Sequence, residues 1–292
     1  MHLLITGASG FVGKALNNML TKHGHITQAV NRNFAFEEFR TNEYECMIHL
    51  AGRAHVMREN TNQSLFHYRA VNVDYTLKIA ELAKALQVKR FIFVSSVKVC
   101  GETSEYPLDE LDTPNPSDAY GLSKLEAEIQ LKNFCDKNKI ELVIIRPPLI
   151  YGPNVKANFN TLLKVCKLPI PLPFASINNK RSFINLGNLN SFIELCCHHP
   201  KAPNNIFFVS DDYDVSISEL ISSIRLASGR RPYLVSFPIG LINFGFGLLG
   251  KKELSRRLLG NLQIDITKAK SLLGWKPVIS FKEGIEQMVD KS

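Results

Sequence analysis

With 292 residues, 45% of them hydrophobic, the chain can bury a full core, as one large domain or as a domain with a smaller partner. No run reaches the roughly 20 apolar residues that span a bilayer, and the first residues read as a strand rather than a basic, apolar leader, so a cytoplasmic protein is expected. A formal charge of +8 favours an anionic partner, but no aromatic-basic interleaving accompanies it, which sets nucleic acid aside.

Apolar runs at 2–6, 25–30, 45–50, 89–95, 140–146 and 205–209 read as strands. Between them, Phe11–His23 places Val12, Leu16, Met19 and Leu20 on one helical face, and Val71–Leu86 does so with Val73, Leu77, Ala80 and Ala83. A third helix is expected over Ser117–Asn138, with Ser117 as its N-cap. Alternating strands and helices predict an α/β fold, a doubly wound parallel sheet of Rossmann type. After Tyr151-Gly152-Pro153 the composition shifts, and Leu168-Pro169-Ile170-Pro171-Leu172-Pro173 can be neither helix nor central strand. The chain is expected to return to the sheet around 181–209. The expected division is 1–155 with 181–209 for the dinucleotide, and 156–180 with 210–292 for the substrate.

Gly7-Ala8-Ser9-Gly10-Phe11-Val12-Gly13 joins the first strand to the first helix with GxxGxxG spacing, so backbone can approach a pyrophosphate at the helix N-terminus. Beyond the second strand, where a carboxylate reading the ribose of NAD is usual, stand Asn31 and Arg32. Arg32 suits a 2′-phosphate, which favours NADP while leaving NAD open. Tyr120 and Lys124 lie one helical turn apart, and Ser95-Ser96 ends the preceding strand at the sheet edge where such folds bind ligands. A cation there is expected to lower the Tyr120 pKa toward working pH. Cys46, Cys100, Cys135, Cys166, Cys196 and Cys197 show no metal-ligand spacing and read as buried, reduced thiols.

These elements, with His49-Leu50-Ala51-Gly52, Ser95-Ser96-Val97-Lys98-Val99-Cys100-Gly101, Arg146-Pro147-Pro148-Leu149-Ile150-Tyr151-Gly152-Pro153, Arg181-Ser182-Phe183-Ile184-Asn185 and Leu273-Gly274-Trp275-Lys276-Pro277, run in order along the chain. The chain thereby resembles the extended short-chain dehydrogenase/reductases, in the nucleotide-sugar epimerase, dehydratase and ketoreductase group. The resemblance implies that Ser96 hydrogen-bonds the reacting oxygen, that Tyr120 is the acid/base, and that Lys124 holds the nicotinamide ribose. It implies cofactor contacts at Gly7, Ser9, Gly10, Phe11, Val12, Gly13, Asn31, Arg32, Leu50, Ala51, Gly52, Asn72 and Pro147, and contacts of Asn158 and Arg181 with a UDP-sugar substrate.

Family dehydratases carry an Asp-Glu pair directly after the catalytic Ser/Thr; Val97-Lys98 here leaves dehydration without its acid and base. Reduction of a UDP-4-keto-6-deoxy-N-acetylhexosamine by NADPH, in surface-polysaccharide synthesis, is the favoured reaction, with UDP-sugar 4-epimerisation as the alternative. A non-catalytic NADP-binding sensor is a third reading; such members lose the Tyr or the Lys, whereas both stand here. His55 reads as a surface loop residue, with a catalytic role as the sharper alternative. Pro238–Gly250, followed by Lys251-Lys252, reads as packing in the smaller portion, as peripheral attachment to an anionic membrane, or as a partner contact such as a homodimer.

Overall fold

The computed structural model describes residues 1–41, 43–53, 61–155, 158–248 and 252–290. Its centre is a six-stranded sheet of β1 (His2–Thr6), β2 (Ile26–Val30), β3 (Cys46–His49), β4 (Arg90–Val94), β5 (Glu141–Arg146) and a last strand, Asn205–Phe208, every neighbouring pair parallel. Each strand lies within a residue of the run that predicted it. The runs are continuously apolar because both faces are buried: Leu3 and Ile5 enter one core and Leu4 the other, as do Val143 and Ile145 against Leu142 and Ile144.

Helix α1 (Phe11–Lys22) covers the first face, and α2 (Thr61–Arg69), α3 (Tyr75–Ala85) and α4 (Ala119–Asn138) lie on the second side. Beyond β6 (Leu149–Tyr151) come α5 (Asn158–Cys166), β7 (Phe183–Asn185) and α6 (Leu186–His198), which joins α1 on the first face; the last sheet strand is β8. Then follow α7 (Ile217–Ala227), α8 (Ile239–Leu248), α9 (Lys252–Leu259), α10 (Thr267–Leu273) and α11 (Phe281–Asp290). Residues of β6, α5, β7, α7 and α11 form a third apolar cluster around Tyr151, Phe183, Ile221 and Ile285. The order β2-β1-β3-β4-β5-β8 reverses direction between β1 and β3, so the carboxyl ends of these strands open onto the crevice where such sheets take ligands.

Three local expectations are corrected. The chain rejoins the main sheet only at β8, because β7 pairs with β6 in a separate two-stranded parallel sheet. The cap of α4 is Asp118, whose carboxylate accepts from the Gly121 N–H at 2.7 Å, and not Ser117. The helix expected from Val71 is the continuation of α2 through a single π turn, Ala70–Asp74. Leu168 to Pro173 is neither helix nor strand, as expected, and all six cysteines are buried and free of disulfides.

Candidate active site

The β1–α1 turn is built by its glycines. Gly7 has φ +68°, and a Cβ on Gly13 would lie 2.1 Å from the Gly7 carbonyl oxygen, so only glycine lets α1 start against the strand. Gly10, the residue before α1, brings no side chain to cap the helix, and no acid stands in its first turn. The first-turn N–H groups of Phe11, Val12 and Gly13 thus face an anion site beside the exposed Ser9 and Gly10, which fits a dinucleotide pyrophosphate. Asn31 and Arg32 are exposed directly past β2, and the Tyr75 hydroxyl donates to the Asn31 carbonyl at 3.3 Å.

A chain of buried hydrogen bonds locks the second loop of the crevice. His49 is fully buried, with Nδ1 2.7 Å from Thr6 Oγ1 and Nε2 2.9 Å from Thr76 Oγ1. Thr76 donates to the Asn72 carbonyl, and Thr6 accepts from the Ala51 N–H. Those directions leave His49 neutral with its proton on Nε2. Burial, aided by the Lys124 charge, pushes its pKa down to about 3. Asn72, in the π turn, accepts from the Arg53 N–H at 2.8 Å and donates to Ser123 Oγ at 2.9 Å, tying the Leu50-Ala51-Gly52 loop to α4. Gly52 is held close: a Cβ there would sit 3.3 Å from Asn72 Oδ1 and 3.8 Å from Lys124 Nζ.

The third component is the segment after β4. Ser96 caps the short 3-10 turn Val97–Val99 by accepting from the Lys98 N–H. The first turn of α4 presses on this segment at Gly121, where a Cβ would fall 2.5 Å from the Lys98 carbonyl oxygen. Tyr120 is thereby brought to Ser96, whose hydroxyl favours the phenolate and lowers its pKa. Lys124 is buried; its ammonium donates to the Val94 carbonyl at 2.8 Å and lies 4.1 Å over the Phe93 ring. Ser96, Tyr120, Lys124, Asn72 and Gly52 therefore converge at the carboxyl ends of β3 and β4.

The electrostatics correct one expectation. Burial pushes Tyr120 up to about 12 despite the Ser96 hydroxyl, and pushes Lys124 down to about 7 despite the Glu128 carboxylate. Lys124 does not acidify Tyr120, because its ammonium is turned to Val94 and Phe93 rather than to the phenol.

Where dehydration would need carboxylates, Lys98 carries an ammonium paired with Glu102 at 2.7 Å and Asp118 at 2.5 Å, and lies 6.0 Å from the Tyr120 ring centroid. Arg256 of α9 reaches the same Glu102 at 3.2 Å. Sequence reasoning missed this network, the His49 chain and the buried Glu128–Arg146 pair at 2.6 Å; the four-residue steps Lys98–Glu102 and Lys124–Glu128 were the available signals. Pro147 is buried directly after β5, and its carbonyl accepts from the Val97 N–H. Arg181 is directed to the Gly260 carbonyl at 2.9 Å, and Asn158 is the first residue of α5. His55 lies outside the described residues.

Residues 3–195 match the model of the NAD dependent epimerase/dehydratase family. A UDP-glucose 4-epimerase of Vibrio cholerae is 40% identical, the alignment covering 98% of this chain and 93% of that protein. UDP-glucuronic acid 4-epimerase from Bacillus cereus in complex with NAD superposes with TM-score 0.80 at 21% identity, covering 100% of this chain and 98% of its own. RMD from Pseudomonas aeruginosa complexed with NADPH does so with TM-score 0.78 at 21% identity, covering 99% and 98%. A glycine-built anion site at the switch of a parallel sheet, facing a Ser-Tyr-Lys cluster, is what such a match requires, and the chain belongs to the NAD dependent epimerase/dehydratase family of enzymes.

Proposed function

We propose that the enzyme transfers hydride at C4 of a UDP-sugar, with Ser96, Tyr120 and Lys124 as catalytic residues and 4-epimerisation as the net reaction. The observation that carries the chemistry is the meeting of the Tyr120 and Ser96 hydroxyls beside buried Lys124, with Lys98 in place of dehydratase carboxylates. Support for epimerisation comes from the Vibrio cholerae relative. Tyr120 takes the proton of the C4 hydroxyl on oxidation and returns it on reduction, while Ser96 orients that oxygen. Bound nicotinamide supplies the hydride acceptor and donor. Lys124 holds the ribose beside Tyr120. Gly7 to Gly13, with Leu50, Ala51, Gly52, Asn72 and Pro147, forms the cofactor's share of the site. Asn158 and Arg181 belong to the sugar nucleotide's share.

A second reading, reduction of a UDP-4-keto-6-deoxy-N-acetylhexosamine, is favoured by one feature. The exposed Asn31-Arg32 pair offers no carboxylate to a ribose and one guanidinium to a 2′-phosphate, which suits an exchanging NADPH. Purified enzyme is incubated with UDP-glucose and UDP-N-acetylglucosamine without reductant, and separately with the 4-keto sugar and NADPH. Interconversion of C4 epimers without net oxidation supports epimerisation. Stoichiometric NADPH consumption without interconversion moves the assignment to the reductase, and the absence of both activities overturns both readings.

A further inference from the structure

We propose that the surface formed by residues 164–180 and 229–248 docks on an anionic phospholipid bilayer. The two segments form one surface, since the Leu172 N–H donates to the Tyr233 carbonyl at 3.1 Å and the Val235 N–H to the Leu172 carbonyl at 3.0 Å. Ordinary surface helices turn their apolar face inward; α8 buries Ile242 but leaves Leu241, Phe244 and Leu248, spaced i, i+3, i+7, exposed by 54%, 63% and 75%. Ile170, Tyr233 and Phe237 extend the apolar face beside it, all exposed.

Charge selects the occupant. No Asp or Glu occurs between Leu142 and Ile193 or between Leu220 and Lys252, a property of the whole sequence in these stretches. Exposed Lys164, Lys180, Arg230 and Arg231 fall within the two segments. A second copy seated face to face would bring these cations together with no Asp or Glu in either segment, which disfavours self-association. An anionic membrane answers both halves of the pattern, taking protruding apolar side chains at the acyl boundary and basic ones at the headgroups. Catalytic Ser96, Tyr120 and Lys124 belong to the β4–α4 region, so docking leaves turnover of a soluble substrate untouched.

The test is flotation of the full chain with vesicles of phosphatidylglycerol or of phosphatidylcholine, at low and high salt. Binding to phosphatidylglycerol that weakens with salt, and much weaker binding to phosphatidylcholine, is expected. Arg230→Gln with Arg231→Gln reduces it roughly thirtyfold, at about 1 kcal/mol for each basic residue near the surface. Phe244→Ser with Leu248→Ser also weakens it, while turnover of soluble UDP-sugar stays at the wild-type level and shows that the variant is folded. Failure of the wild-type protein to float with phosphatidylglycerol, or undiminished binding by both double variants, overturns the proposal. So does a fall in molecular mass for Phe244→Ser with Leu248→Ser, which assigns the face to a second copy.

Discussion

The crevice around β1, β3 and β4 and the surface around α8 treat polar and apolar groups in opposite ways. In the first, Thr6, His49, Asn72, Thr76 and Ser123 are buried and paired in one connected network, and buried Lys124 donates to the Val94 carbonyl. In the second, Leu241, Phe244 and Leu248 stand in solvent. A buried polar network holds reactive groups in one arrangement because any unpaired member is costly at low dielectric. An exposed apolar face does nothing for the fold and gains only when something covers it. The contrast separates residues retained for pre-organisation from residues available for contact.

Substitutions test that separation from its strongest side downward. Tyr120→Phe removes the acid/base and should lower kcat/KM by about 10²–10⁴ with little change in melting temperature; a loss below about tenfold would remove Tyr120 from the chemistry. Glu128→Gln strands the buried Arg146 guanidinium and should lower unfolding free energy by about 3–5 kcal/mol in denaturant titration. Arg32→Asp should weaken NADPH binding roughly tenfold, about the 1.5 kcal/mol of one hydrogen bond to a charged group, and spare NADH. Equal NADPH affinities before and after would remove the clamp on a 2′-phosphate. Phe244→Ser, at the other extreme, should change stability by no more than about 0.5 kcal/mol, and a loss of several times that would place the side chain in the core.

His49 gives the contrast a pH signature. Its folded pKa of about 3 lies below its ordinary value of 6.5, so between those values the unfolded chain binds more protons than the folded one. Its contribution to stability is complete above pH 6.5 and is lost as pH falls toward 3. His49→Gln should flatten the stability profile across that window, as read by thermal unfolding at stepped pH.

Much of the crevice was legible because its signals are local. Phe91-Ile92-Phe93 is continuously apolar since the sheet is covered on both faces, and Gly7, Gly10 and Gly13 are spaced by the turn they build. What escaped depends on residues distant in sequence. Ser117 and Asp118 are both good caps; Asp118 also answers Lys98, twenty residues earlier. Lys124 carries the spacing of a tyrosine activator, but the Val94 carbonyl thirty residues away takes its proton donor. The π turn at Asn72 adds a residue to a helix whose apolar spacing remains helical, so only three-dimensional register reveals it. Phe183-Ile184-Asn185 reads as a strand, yet nothing in it names β6 as partner.

The central claim is hydride transfer at C4, and label retention tests it directly. UDP-glucose and UDP-N-acetylglucosamine deuterated at C4 are incubated with the enzyme and NAD, and the products are examined by NMR. The account predicts C4 epimers that keep deuterium on C4, and no such product with Tyr120→Phe. Epimers whose C4 deuterium has exchanged with water would contradict it.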